Sequence, residues 1–250
     1  LLFEGVWPLS SWDYENEQWT DLPPHLRHLP LFTKHLDMTS QFFRALWAVF
    51  LKFVAYRFYI RLKVHGEFET LFKTYPRLMV ISNHASHLDA TSIAAAIPYK
   101  YWRHLYITAA KDYFFSNPIF AFFSKHCLGA IPIDRKDKKG EAVKLCLNLL
   151  GSLDRIWMIF FPEGTRSKDG KMSEFKRGVS LFSESTSTPI LFLYVDGNSA
   201  LWPKGRLLPS PGRLQIFIGP VVPPGPKERL FEKYLEWAKT VNPEIETTKD

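Results

Sequence analysis

Cysteine is nearly absent: Cys127 and Cys146 are the only two in 250 residues. Two thiols with no ligand pattern around them exclude a disulfide scaffold or a zinc motif as the organising device, and they suit a reducing compartment. Long hydrophobic runs are missing too. No uninterrupted apolar stretch reaches the ~18 residues of a membrane-spanning helix; Tyr113–Ser124 lacks acidic and basic side chains, but Pro118 interrupts it. The opening, Leu1-Leu2-Phe3-Glu4, lacks Met and carries no secretory-signal pattern. Zinc-finger, RNP and basic-zipper patterns are absent, so nucleic acid is not an expected partner. No metal or resident cofactor is expected either.

What is abundant is aromatic and basic. Aromatics make up 16% of the chain, with 21 Phe and 8 Trp, and the formal net charge is +7. A basic, ring-rich chain suits the boundary between lipid headgroups and acyl chains. Phe42–Arg61 concentrates both traits, with four basic residues, no acidic residue, and no Gly or Pro. It reads as an amphipathic, membrane-associating helix whose Lys and Arg stems bury while their charges reach headgroups; the bland alternative is an ordinary docking helix. Residues 1–35 read as an irregular arm, and residues 1–63 as an N-terminal unit preceding a domain over 64–250.

From Val64 onward, short apolar runs alternate with helical stretches. Strands are expected near 78–82, 105–109, 130–134, 156–161, 190–195 and 214–218, and helices near 67–74, 89–97, 116–126, 140–153, 178–186 and 226–239. This alternation predicts an α/β fold: a mixed, largely parallel sheet flanked by helices. Such sheets place their sites beyond the strand ends. The last residues, Glu244–Asp250, read as a solvated tail.

The most telling strand end is Leu78-Met79-Val80-Ile81 followed by Ser82-Asn83-His84-Ala85-Ser86-His87-Leu88-Asp89. Five positions cover about 140° on a helix, so His84 and Asp89 meet only if His84 lies in the turn and Asp89 in the first helical turn. An imidazole so placed can serve as a general base, with the carboxylate holding its tautomer. The same residues fit a Ser-x-x-acid cap, in which Asp89 only stabilises the helix start and His87 faces solvent.

A second strand, Ile156–Phe161, runs into Pro162-Glu163-Gly164-Thr165-Arg166-Ser167. Gly129–Arg135 ends another apolar run in arginine, and Pro189 opens a further strand. These four blocks, in this order, resemble the glycerolipid acyltransferase family, typified by 1-acylglycerol-3-phosphate acyltransferase. The blocks are Asn83-His84 with Asp89, Gly129 with Arg135, Phe161–Ser167, and Pro189. The resemblance extends over about residues 64–223.

The resemblance implies an O-acyltransferase; the basic, aromatic segment in a chain with no spanning run makes it an expected membrane-associated protein, monotopic on the cytoplasmic face. It would move a fatty acyl group from acyl-CoA or acyl carrier protein, a substrate rather than a cofactor, to the free hydroxyl of a lysophospholipid, with 1-acylglycerol 3-phosphate giving phosphatidic acid. His84 and Asp89 would be catalytic. Arg135, Glu163, Gly164, Thr165 and Arg166 would bind substrate, with Lys111 and Lys176 as further candidates. Guanidinium forks suit a phosphate. Glu163 suits a glycerol hydroxyl or one of the arginines, and the Gly164 turn could aim backbone N–H groups at a reacting oxygen. Three alternatives stand beside this: another lysolipid acceptor, a thioester or ester hydrolase using Ser82 or Ser86, although no Gly-x-Ser-x-Gly elbow is present, and a non-catalytic membrane-binding module.

Overall fold

Strands that are apolar at every position must be covered on both faces, and this constraint organises the fold. The computed structural model describes residues 38–110, 119, 122–133, 141–224 and 230–248. Among these residues seven strands form one sheet: β1 (Ile60–His65), β2 (Arg77–Ser82), β3 (Leu105–Ala110), β4 (Ala130–Ile133), β5 (Ile156–Phe160), β6 (Ile190–Asp196) and β7 (Gly212–Val222). Their order across the sheet is β1-β7-β6-β2-β5-β3-β4. Alternate residues point to opposite faces. Met79, Ile81, Met158, Phe160 and Phe192 enter one core, while Leu78, Val80, Trp157, Ile159 and Leu193 enter the other.

Helices α1 (Met38–Val49), α2 (Phe68–Thr74) and α3 (Leu88–Ala96) contribute to the second core. Helices α4 (Glu141–Ser152), α5 (Gly178–Thr186) and α7 (Leu230–Val241) contribute to the first. A single-turn helix, α6 (Asn198–Leu201), follows β6. The expected mixed, largely parallel α/β architecture is therefore present. Strand β1 is additional to the expectation. Ile60, Leu62 and Val64 do alternate with Arg61, Lys63 and His65 at strand period, but the alternation directly follows the aromatic run that reads as helix. The helix stops at Tyr59, and the 63/64 division falls inside β1. The arm over 1–35, and residues 116–118 and 120–121 of the helix expected near 116–126, lie outside the described residues; Phe123–Leu128 forms a short π-helical turn.

Direction along the sheet decides where chemistry can gather. Strand β2 runs parallel to β5 and β6, and β3 runs parallel to β4 and β5. Strand β7 is antiparallel to β6 and parallel to β1. Five strands therefore end on the edge where β1 and β7 begin. The helix leading into β1 and the loop leading into β7 arrive at the same edge as the turns after β2, β5 and β6.

Helix α1 continues as a π-helix over Phe50–Tyr59. Its wider winding brings residues five apart onto one face, so Leu51 and Tyr56 both bury. Tyr56 Oη donates to the carbonyl of Leu88 (3.2 Å) and meets Thr91 Oγ1 (2.5 Å), joining this segment to the start of α3. Two of the four basic residues turn inward rather than toward solvent. Arg44 donates to the carbonyl of Trp102 (3.0 Å). Lys52 donates to the carbonyls of Ala95 and Ile97 at the end of α3, where a cation complements the helix dipole. The outward face is left apolar, with Phe42, Leu46, Val49, Phe53 and Phe58 all exposed. Among the described residues no helix is long and apolar enough to cross a membrane.

The chain end is docked where a solvated tail is expected. Thr247 bridges to Met172, with Met172 N–H donating to the carbonyl of Glu246 (2.9 Å) and Thr248 N–H to that of Met172 (3.0 Å). Ile245 packs against the first core. Backbone pairing, Ile245 and the Lys171–Glu246 ion pair (2.9 Å) together order a run whose composition is otherwise polar.

Trp157 is the largest fully buried side chain. Its ring stacks on Phe72 at 3.7 Å between centroids, and its Nε1 donates to the carbonyl of Tyr75 (2.9 Å). Trp157→Ala is expected to lower the unfolding free energy by about 3–5 kcal/mol, measured by equilibrium denaturant titration.

Candidate active site

The turn after β2 is organised by Asp89, a fully buried carboxylate. Burial of a charge is tolerable only when hydrogen bonds replace water, and here four do. Oδ2 accepts from His84 Nδ1, Ala85 N–H and Ser86 N–H, each at 2.9 Å. Oδ1 accepts from Asn198 Nδ2 at 2.7 Å. Since a carboxylate only accepts, the His84 proton facing it sits on Nδ1, which leaves the Nε2 lone pair for a substrate proton. The His84 ring stacks on Phe161 at 4.1 Å. Asp89 also forms the acidic half of a helix cap through Ser86 N–H, so the capping and tautomer-holding readings are both realised by one side chain.

The flanking serines are structural. Ser82 Oγ donates to Asn83 Oδ1 (3.2 Å). Ser86 Oγ donates to the carbonyl of Trp202 (2.9 Å) and accepts from Leu88 N–H (3.1 Å). Both residues are fully buried. His87 packs beside Trp202 at 5.1 Å between rings. Burial and the nearby Arg166 charge push its pKa down to about 4, so it is neutral at pH 7.

Asn83, the residue before the histidine, has a defined part. Its Nδ2 donates to the carbonyl of Val195 (2.9 Å), and its Oδ1 accepts from Val195 N–H (2.8 Å). The amide thus prolongs the β2–β6 ladder by one rung made of side chain. Asn83 N–H donates to Tyr234 Oη (3.0 Å), which in turn donates to the carbonyl of Leu193 (2.5 Å). Asn198 and Tyr234 escape a reading by motif because they lie far along the chain. The one local signal was Asp196-Gly197-Asn198 at the end of an apolar strand. Gly197 has φ +81°, and a Cβ there would lie 2.7 Å from the carbonyl oxygen of Arg213, so the turn that delivers Asn198 requires glycine.

The turn after β5 brings Glu163 to the same place. Its Oε1 accepts from His84 N–H (2.7 Å) and its Oε2 from Ser173 N–H (2.9 Å). The carboxylate braces the backbone of the histidine turn. Ser167 N–H donates to the carbonyl of His84 (2.8 Å), which completes the join between the two turns. Gly164 has φ +73°; its N–H is engaged by the carbonyl of Phe161 (2.9 Å), so that amide does not serve an oxyanion. The Lys176 side chain lies over Gly164, within 2.7 Å of where a Cβ would stand. Thr165 is exposed and Arg166 half-buried. Lys111 and Arg135, just past β3 and β4, lie outside the described residues. A cleft of about 230 Å³, lined by Ala85, Lys168, Ser199 and Lys204 among others, opens beside the histidine turn.

Burial raises the Glu163 pKa to about 7, against the two backbone N–H groups that favour its charge. The unfolded group releases its proton near 4.5, so between these values the folded protein holds more protons. Stability therefore falls as pH rises from about 4.5 to about 7 and levels off above that. Relative to E163Q, the wild type is expected to lose roughly 3 kcal/mol across this window. Urea titrations of both proteins at a series of pH values check it; a pH-independent difference would refute the buried-acid assignment.

A family model described as Acyltransferase matches residues 61–195. A chloroplastic 1-acyl-sn-glycerol-3-phosphate acyltransferase of Brassica napus is 28% identical over 178 residues, covering 70% of this chain and 47% of the relative. The 1-acyl-sn-glycerol-3-phosphate acyltransferase alpha of Mus musculus is 30% identical over 172 residues, covering 67% of this chain and 56% of the relative. The chain thus spans about half the length of these curated relatives. The crystal structure of the 1-acyl-sn-glycerophosphate acyltransferase PlsC from Thermotoga maritima aligns with a TM-score of 0.60 at 24% identity, over 82% of each chain, and shows the same fold. The matched segment runs from β1 to the end of β6 and holds the His84–Asp89 pair and the Glu163 turn, so the chain belongs to the acyltransferase family.

Proposed function

We propose that the protein transfers a fatty acyl group from a thioester to the free hydroxyl of 1-acylglycerol 3-phosphate, giving phosphatidic acid. The observation that carries this reading is a His–Asp pair beside two serines that are buried and hydrogen-bonded elsewhere. The pair has a base and a tautomer-holder but no flanking enzyme nucleophile, so the attacking oxygen belongs to the acceptor. His84 Nε2 removes the hydroxyl proton as the oxygen attacks the thioester carbonyl. Asp89 stabilises the imidazolium that forms. The imidazolium then returns its proton to the departing thiolate, and no acyl-enzyme intervenes. The names of the relatives support the phosphate-bearing acceptor.

Arg166 and Arg135 are assigned to the acceptor phosphate. Arg166 follows the Glu163 turn, and its charge is felt at His87, which puts a guanidinium near the base. The acyl donor is coenzyme A or acyl carrier protein. H84A is expected to reduce turnover by at least ~10²–10⁴-fold with the fold intact. Thiol release from an acyl thioester should depend on added acceptor. Acceptor-independent release would indicate a hydrolase, and folded H84A with wild-type turnover would remove His84 from the mechanism.

The enzyme is further assigned to the surface of a bilayer, monotopic and on the cytoplasmic face, held by the outward face of residues 38–59. Exposed apolar side chains gathered on one helical segment mark an interaction surface, and exposed Arg57 and Arg61 at its end supply charge. Sedimentation with vesicles containing phosphatidic acid is expected, and substituting Phe42, Leu46 and Phe53 with serine should release the protein. Undiminished binding of the folded triple variant would move the anchor elsewhere.

A further inference from the structure

Between α6 and β7 the chain crosses a loop, residues 202–211, that reads Trp-Pro-Lys-Gly-Arg-Leu-Leu-Pro-Ser-Pro. Leu207 is 85% exposed and Leu208 68%. Two adjacent leucines left in water forgo the burial that stabilises leucine elsewhere in the fold. The loop supporting them is not slack. Trp202 Nε1 donates to the carbonyl of Arg206 (2.8 Å), Ser210 N–H donates to the carbonyl of Leu201 (2.8 Å), and three prolines restrict the backbone. The leucines are therefore presented on a closed, braced tip.

The tip has a definite neighbour. Tyr59 Oη, at the end of the π-helix, donates to the carbonyl of Pro209 (2.8 Å), and Ile60 pairs with Gly212 as both chains enter the sheet. Phe58, 78% exposed, adjoins that junction, so the apolar face of residues 38–59 continues toward Leu207 and Leu208. Lys204 and Arg206 flank the leucines, both exposed. The other end of the loop reaches the catalytic turn, where the Trp202 carbonyl accepts from Ser86 Oγ and its ring lies beside His87.

We propose that the Leu207–Leu208 tip is a second lipid-contacting element, which inserts into an anionic bilayer together with the face of residues 38–59. The occupant follows from two features: an apolar point preceded by two exposed basic residues matches acyl chains beneath anionic headgroups, and the tip is tied to the end of the segment already assigned to lipid. Two contacts, one on the helix and one on the loop, hold the sheet edge that bears His84 against the surface. The inference rests on the interfacial reading above.

The full-length protein is tested with vesicles of phosphatidylcholine containing phosphatidic acid. An environment-sensitive fluorophore on L207C reports insertion, since Cys127 and Cys146 are buried. The same label on K233C, at an exposed position of α7 beside the other core, is the control. The L207C label should shift to the blue on adding vesicles while the K233C label stays unchanged. L207S/L208S should partition at least tenfold more weakly, with turnover of a monodisperse short-chain acceptor unaffected. Wild-type partition of the double variant, or an unshifted L207C label on vesicle-bound protein, overturns the loop contact and leaves the helix assignment standing. A wild type that does not sediment with vesicles defeats the interfacial reading itself. Self-association in lipid-free buffer that L207S/L208S abolishes would identify a protein-binding tip and overturn the proposal as well.

Discussion

The site depends on keeping one buried negative charge. Asp89 has no water to solvate it, so the chain must supply donors, and the donors it supplies dictate the local fold. Two are backbone N–H groups of the turn leaving β2, which fixes the turn's shape. One is the imidazole, which fixes the tautomer. The last is Asn198, delivered by a turn on a neighbouring strand. Loss of any of them leaves part of the charge unsatisfied, at a cost comparable to a whole hydrogen bond to a charged group. The dyad is thus organised before any substrate arrives, and little reorganisation remains to be made during reaction.

Support for that arrangement runs far from the chemistry. Glu163 links the histidine turn to Ser173. The neighbouring Met172 is held by backbone pairing to residues 246–248. On the opposite side, Tyr234 of α7 fastens Asn83 and Leu193 together. Of these ties, those through Glu163 and Tyr234 reach the turn itself, each using a main-chain group of the turn or of the strand beside it. The His84 ring itself stays partly open to solvent.

Much of this could be read in advance where a physical pattern is local. The continuous apolar runs of β2, β5 and β6 announced doubly covered strands, and the residues following β2 and β5 announced the site. The pairing of His84 with Asp89 follows from a turn meeting a helix start. What could not be read depends on sheet order. Asn198 comes beside Asp89 only because β6 lies next to β2. The inward aim of Arg44 and Lys52 depends on the carbonyls of Ala95, Ile97 and Trp102 that the fold brings within their reach, which no composition reveals. Glu163 illustrates a further limit: its backbone partners, His84 N–H and Ser173 N–H, are brought to it by the fold and are not marked by the motif. Strand β1 was legible by its alternation but was masked by the aromatic segment before it.

The shared edge of the sheet has a kinetic consequence. An enzyme whose base opens on the edge where its apolar helix and loop arrive need not lift a lysolipid out of the bilayer. With the enzyme on a bilayer as proposed, the acceptor would reach it by lateral diffusion, its glycerol at headgroup depth and its tail still among other tails. For such an enzyme, rate follows the mole fraction of acceptor in the surface rather than its bulk molarity. Inert lipid added at constant acceptor amount slows turnover by surface dilution, although it neither enters the site nor touches His84.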